Sequence, residues 1–318
     1  MIRSSDSVVR AAIAAAALLV FTCSARAQTG YGVGADGNLF SFDINNPNTT
    51  AVVKGPVGFV PEGIDFRPSS NTLYAIDVGP NTTTLYTLNI NTGAATAVGA
   101  GFNTTGPGYN LSGQKFGFDF DPSSLQNDGS MRIRFVGTND GNLRINSSTG
   151  LIDGIDTNLT IGTNAPFVDG IAYSNNIANK NTLATTLYDM DSRNDKLYIQ
   201  DTPASGSLTQ VGAFGATIDA QPGIGFDIYT SPGGTNFGYA VYTRPDAPTG
   251  NVGKYLLYHE VLATGISTDG ALVMSSGGST PFDFTGDFAV APGVPEPASA
   301  VLLAIGLAGI AMLRRRVR

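Results

Sequence analysis

The chain has 318 residues, with 18 Lys+Arg against 25 Asp+Glu, 40 Gly, one Cys, one His and no Trp. Between Gln28 and Pro297 the balance is 11 basic to 24 acidic, a net of −13, so the whole-chain −7 is diluted by basic ends. Such a body offers no basic patch to neutralise phosphates, which argues against nucleic acid as a partner. A lone Cys and a lone His exclude a disulfide framework and the usual zinc ligand sets.

At the N-terminus, Arg3 and Arg10 precede the apolar run Ala11–Phe21, and Ala25-Arg26-Ala27 places small residues at a cleavage position. This pattern predicts a secretory signal peptide over residues 1–27, handled by the Sec export machinery and cut between Ala27 and Gln28. Cys23 follows Thr22, a poor context for lipid modification, and leaves with the signal peptide.

From residue 28 to 290 no stretch keeps a 3.6-residue apolar period. Short runs such as Leu85-Tyr86-Thr87-Leu88-Asn89-Ile90, separated by Asn/Thr/Gly turns, read as strands, so the body is all-β. It also repeats. Gly63-Ile64-Asp65-Phe66, Gly117-Phe118-Asp119-Phe120, Gly170-Ile171-Ala172-Tyr173 and Gly225-Phe226-Asp227-Ile228 recur at spacings of 54, 53 and 55, and Gly286-Asp287-Phe288-Ala289 follows 61 later. Further strands follow each copy in fixed order: Leu73-Tyr74-Ala75-Ile76-Asp77 parallels Leu187-Tyr188-Asp189-Met190-Asp191, and Thr96-Ala97-Val98-Gly99 parallels Thr209-Gln210-Val211-Gly212. About four strands per unit predict a β-propeller.

The last unit has only its first strand, and the chain begins with strands that lack one. Val33-Gly34-Ala35-Asp36-Gly37-Asn38-Leu39 resembles Val136-Gly137-Thr138-Asn139-Asp140-Gly141-Asn142-Leu143, whose Asp-Gly hairpin joins strands two and three of its unit. The N-terminal segment therefore completes the last blade. Five blades are predicted: residues 63–100, 117–160, 170–212, 225–273, and a composite of 31–54 with 285–290. An open stack of β units, or a sixth blade in the long stretch after Gly225, are the competing arrangements.

After a linker at 291–297 that carries Pro295-Glu296-Pro297, the run Ala298–Leu313 is uncharged and ends in Arg314-Arg315-Arg316-Val317-Arg318. Sixteen helical residues span about 24 Å, and snorkelling arginine stems stretch that toward a bilayer core of about 30 Å. The segment 298–318 thus predicts a separate C-terminal transmembrane helix with the arginines on the cytoplasmic side.

Val-Pro-Glu-Pro, a short Ala/Leu/Gly helix and an arginine cluster, in that order, resemble the PEP-CTERM sorting signal. That resemblance implies an exported protein of an exopolysaccharide-producing Gram-negative bacterium. It also implies transient anchoring in the inner membrane through the tail, then delivery to the cell surface or the extracellular space. The implied partner is an exosortase-type membrane peptidase that recognises Pro295, Glu296 and Pro297 and removes the anchor with Arg314, Arg315 and Arg316. Within the body, the ordered motifs Gly-Phe-Asp-Phe, Asn-Leu-Arg-Ile-Asn, Leu-Tyr-Asp-Met-Asp and Leu-Tyr-Ile-Gln-Asp resemble the bacterial domain of unknown function 4394 over residues 36–290. This second resemblance carries no catalytic residues across.

Candidate chemistry is sparse. Asp65, Asp119 and Asp227 hold equivalent places on the channel-lining first strands, with Asp287 expected to join them, while Ala172 breaks the set. They could converge on a calcium ion, or each could accept backbone N–H bonds from a neighbouring strand and fix blade packing. Asp189, Asp191 and Asp195, and separately Asp153 and Asp156, have spacings seen in calcium loops, although turns also favour such residues. His259 lies in a strand pattern, expected half-buried or at the surface. No Gly-x-Ser-x-Gly elbow and no phosphate-cradling loop occurs in the mature chain. The expected function is a non-enzymatic propeller with no cofactor, binding or scaffolding extracellular polysaccharide. The alternative is a polysaccharide hydrolase or lyase using channel-mouth aspartates and a metal.

Overall fold

The computed structural model describes residues 28–177, 184–218, 223–247, 250–275, 281–282 and 284–292. The predicted signal peptide, the Pro-Glu-Pro motif and the tail lie outside the described residues. No helix among the described residues is long and apolar enough to cross a membrane.

Five four-stranded antiparallel sheets form the molecule. The chain enters through β1 (Thr29–Gly34) and β2 (Asn38–Asp43), makes one helical turn, α1 (Pro47–Thr50), and continues as β3 (Val52–Pro56). Blade 1 is β4 (Gly63–Arg67), β5 (Thr72–Val78), β6 (Thr82–Leu88) and β7 (Ala95–Asn103), after which a small hairpin, β8 (Thr105–Gly106) and β9 (Tyr109–Asn110), projects. Blade 2 is β10 (Phe116–Phe120), β11 (Arg132–Gly137), β12 (Asn142–Asn146) and β13 (Ile152–Ile155). Blade 3 is β14 (Val168–Tyr173), β15 (Leu187–Asp191), β16 (Lys196–Thr202) and β17 (Ser207–Ala213). Blade 4 is β18 (Gly225–Thr230), β19 (Asn236–Tyr242), β20 (Leu256–Val261) and β21 (Ile266–Leu272). The last strand, β22 (Phe284–Val290), heads a sheet of order β22-β1-β2-β3.

The ring closes as the sequence predicts. Gly30 pairs with Val290, Tyr31 with Ala289 and Gly32 with Phe288, so the first segment completes the fifth blade. The turn Asp36-Gly37 sets the register of β1 on β2 (Val33 opposite Leu39): Gly37 adopts φ of 74°, and the Asp36 carboxylate accepts the backbone N–H of Asn38 at 3.0 Å. Asp140 takes φ of 70° at the matching turn of blade 2. The stretch after Gly225 holds one blade, so neither a sixth blade nor an open stack occurs. The strand bounds differ from expectation by a few residues, and hairpin β8–β9 is an addition to the repeat.

Burial grades outward. First strands such as β10 are buried on both faces, whereas the fourth strands β3 and β7 contain no fully buried residue. This explains why Phe116-Gly117-Phe118-Asp119-Phe120 reads as a near-continuous apolar run while the outer strands look polar. The core lies between blades. Phe40, Phe42, Phe284 and Phe288 of blade 5 pack with Val241, Tyr255 and Leu257 of blade 4, and Tyr74, Ile76 and Leu85 of blade 1 pack with Phe116, Phe118 and Phe135 of blade 2.

Candidate functional site

Each first strand carries a glycine that lets the next blade approach. A Cβ at Gly63 would strike Phe118, one at Gly117 would strike Ile171, one at Gly170 would meet Ile224 and Phe226, and one at Gly225 would strike the backbone of Phe288. Two residues further on, the strand pleat returns the chain to the same face and turns Asp65, Asp119 and Asp227 onto the axis. One carboxylate oxygen from each of these three lies within 4.8 Å of the others. The three residues are 1%, 1% and 2% exposed.

The carboxylates also tie the blades together. Asp65 accepts the N–H of Phe66 at 2.6 Å and, across the blade junction, that of Phe120 at 2.8 Å. Asp227 accepts the N–H of Ile228 on its own strand and of Val290 in blade 5. The backbone N–H of Tyr173 in blade 3 lies near enough to Asp119 to favour its charged form, while Asp119 Oδ1 is buried without a partner. The three carboxylates thus draw together on the axis, and Asp65 and Asp227 also bond across blade junctions.

Asp287 departs from expectation. Because Phe288 takes the place against Gly225 that Phe118 takes against Gly63, Asp287 stands at the glycine position of its strand, and Ala289 stands where the other blades carry aspartate. Its carboxylate accepts the N–H of Ile64 in blade 1 at 3.0 Å and of Phe288 at 2.8 Å. It thus links blade 5 to blade 1 from beside the trio. Between blades 3 and 4, where Ala172 offers no acceptor, the link is made at the strand ends. The N–H of Asn176 donates to Thr230 Oγ1 at 2.8 Å, and that of Asn175 donates to Asn236 Oδ1 at 2.9 Å.

Burial raises the pKa of all four carboxyls. Asp65 and Asp119 lie well above the ordinary range through desolvation and then through the neighbouring axial carboxylates, Asp287 does so chiefly through desolvation, and Asp227 is pushed up to about 7 by burial. Two devices could relieve three crowded acids: shared protons, or one hard cation with oxygen ligands at about 2.3–2.6 Å. Asp65, Asp119 and Asp227 are the residues that could hold such an ion. Of their six oxygens, the four of Asp65 and Asp227 already accept an N–H bond, and Asp119 Oδ1 has no partner.

The other carboxylates considered for calcium are engaged differently. Asp156 bonds Arg134 at 2.7 Å and Arg144 at 2.7 Å, and Asp153 bonds Arg132 at 2.5 Å. Arginines thus occupy the pair that the spacing offered to a cation. Asp191 caps a turn through the N–H groups of Arg193 and Asn194, Asp195 accepts the N–H of Ile218, and Asp189 is fully buried and pushed up to about 8 by desolvation. His259 is half-buried on β20, its ring 5.5 Å from that of Tyr239. From the sequence, Glu62 and Glu260 stand out only as the glutamates of the body and Asp169 not at all; burial raises the three to about 7, 8 and 8. Asp169 and Glu260 lie in apolar strand runs, which is the one signal the sequence held for them.

Residues 38–280 match the family described as Domain of unknown function (DUF4394). The chain belongs to that family. Residues 293–316 match the PEP-CTERM protein-sorting motif, which marks a DUF4394 protein exported and sorted to the surface. No curated protein matches the chain. Among solved structures, a Bacteroides thetaiotaomicron protein of unknown function aligns with TM-score 0.43 and 14% identity over 85% of this chain and 68% of its own. A putative exo-beta-1,3-galactanase from Bifidobacterium bifidum aligns with TM-score 0.42 and 12% identity over 65% and 69%. Myxococcus xanthus glutaminyl cyclase aligns with TM-score 0.38 and 14% identity over 68% and 71%. At this level of likeness none of them bears on activity.

Proposed function

We propose that this exported DUF4394 propeller is a non-enzymatic binding or scaffold protein of the cell surface, associated with extracellular polysaccharide. The observation that carries the reading is the enclosure of the axial acids. Glycosidic chemistry needs two reachable carboxyls about 5–9.5 Å apart with room for sugar and water. Asp65, Asp119 and Asp227 are sealed from solvent, crowd within 4.8 Å and spend their oxygens on backbone N–H groups. That arrangement supports a clasp for the ring. It gives no support to the alternative of a hydrolase or lyase at the channel mouth.

In this reading the Sec machinery exports the chain, cleavage falls between Ala27 and Gln28, and an exosortase-type peptidase acts at Pro295-Glu296-Pro297. The geometry of the ends supports such processing. The Gln28 side chain donates to the carbonyl of Ala291, and the N–H of Ala291 donates to Thr29 O at 2.9 Å. The described ends, Gln28 and Ala291, therefore meet at one corner of blade 5.

The test is a product-release screen of the full chain, held in detergent, against neutral and acidic polysaccharides with Asp119→Asn alongside. The expected result is no new reducing or unsaturated ends from either protein. Turnover by the native chain that Asp119→Asn abolishes would overturn the reading in favour of the enzyme.

A further inference from the structure

Four of the five blade junctions are sealed at the rim in the same way. A fourth-strand backbone packs directly on the turn between strands three and four of the next blade: Gly55 on Thr92 and Gly93, Gly99 on Thr149 and Gly150, Gly212 on Thr264 and Gly265, and Thr157–Asn158 on Gly206. A Cβ at any of these glycines would run into a carbonyl oxygen across the junction, so nothing larger fits. The junction between blades 4 and 5 differs. Its turn is replaced by a longer, glycine-free connection, Ile44 to Ala51, that contains α1. This connection bonds outward to the chain leaving blade 4, with the N–H of Met274 on Pro47 O at 2.9 Å and that of Ala51 on Met274 O at 3.0 Å. The rim is thereby propped open.

The result is a cleft of about 510 Å³, within the range of about 300–1,000 Å³ that holds small-molecule ligands. One wall is a row of half-buried rings on one face of blade 4, Phe237, Tyr239 and His259. The His259 ring lies 6.4 Å from Phe237 and 5.5 Å from Tyr239. The opposite wall carries the exposed side chains of Asn45, Asn46 and Asn48. Past Asn48 and Ala271 the cleft runs on into a second hollow of about 440 Å³ with another amide, Asn251. Among the described residues no Lys, Arg, Asp or Glu lines either hollow, although the body around them carries a net charge of −13.

We propose that this rim cleft binds a neutral polysaccharide chain. The inference rests on the binding reading above and names its ligand. Aromatic faces cover the C–H faces of pyranose rings, and each asparagine amide offers one acceptor and two donors to paired hydroxyls. A charged sugar would leave its charge without a partner in an uncharged cleft. The continuation beyond Asn48 suits a polymer better than a single sugar.

Affinity gel electrophoresis of the full chain in detergent tests it. Gels contain dextran, arabinogalactan or β-glucan as neutral probes, and alginate as the acidic one. At least one neutral polymer is expected to retard the native protein and alginate is not. Tyr239→Ala and the exposed double change Asn46→Ala with Asn48→Ala, each checked for a native melting temperature, are expected to weaken retardation tenfold or more. Asn103→Ala, on blade 1, leaves it unchanged. Should Tyr239→Ala fail to fold, the surface pair still decides. Retardation that survives both cleft variants, or that occurs with alginate alone, overturns the cleft and leaves the binding function standing. No retardation by any polymer overturns both.

Discussion

Asp119 concentrates the energetics of this molecule in one side chain. It is buried beside Asp65 and Asp227, one oxygen has no partner, and desolvation holds its proton on far above the ordinary carboxylate range. The same holds for Asp227 near 7 and for Asp169 and Glu260 near 8. An unfolded aspartate titrates near 3.9, so between about pH 4 and about pH 8 the folded chain holds more protons than the unfolded one. Stability is then fully present below the unfolded value and is lost as pH rises through the folded ones. The melting temperature is expected to fall from pH 5 to pH 8 in scanning calorimetry. Asp119→Asn keeps the shape and an amide oxygen without a charge to bury, and should melt a few degrees above the native protein at pH 8 while losing that advantage at pH 5. Millimolar calcium should not restore the native melting temperature at pH 8. A calcium rise abolished by Asp119→Asn would show that the trio holds a cation instead of protons.

Strands and turns show which features of the fold are legible in the chain. The Gly-x-Asp repeat announced the first strands because a glycine must sit against the next blade there, and the Asp-Gly turns fixed the pairing of the N-terminal segment. The fifth copy misled by one residue, since β22 puts Asp287 in the glycine place and Ala289 in the aspartate place. The role of Asp156 was hidden because its partners Arg134 and Arg144 lie on other strands of the blade. The rim cleft was invisible because it arises where a turn fails to repeat. Rim glycines give a quantitative check. Gly99 has φ of 70° and backbone across the junction, whereas Gly37 has φ of 74° and open space. Gly99→Ala should cost about 2 kcal/mol or more, and Gly37→Ala about 1 kcal/mol, in urea unfolding. Phe40→Ala, which removes a fully buried ring between blades 4 and 5, should cost about 3–5 kcal/mol.

As a whole, the molecule is a ring whose ends meet, with its sorting motif attached beyond the closure. Removing β22 would expose the edges of β1 and of the neighbouring first strands, which is costly for any sheet. A chain ended after Pro292 is expected to melt where the full chain does, and one ended after Phe282 to lose its cooperative transition. Retention of cooperativity in the shorter chain would contradict closure by β22. The acids on the axis serve the ring, which leaves recognition to the outside of an exported body. That claim is tested most directly by co-sedimentation of the full chain, in detergent, with the extracellular polysaccharide of the cells that make it. The account predicts retention that persists in chelator and in moderate salt with the polymer left intact. No retention under any salt or calcium condition, or release of sugar from the polymer, would contradict it.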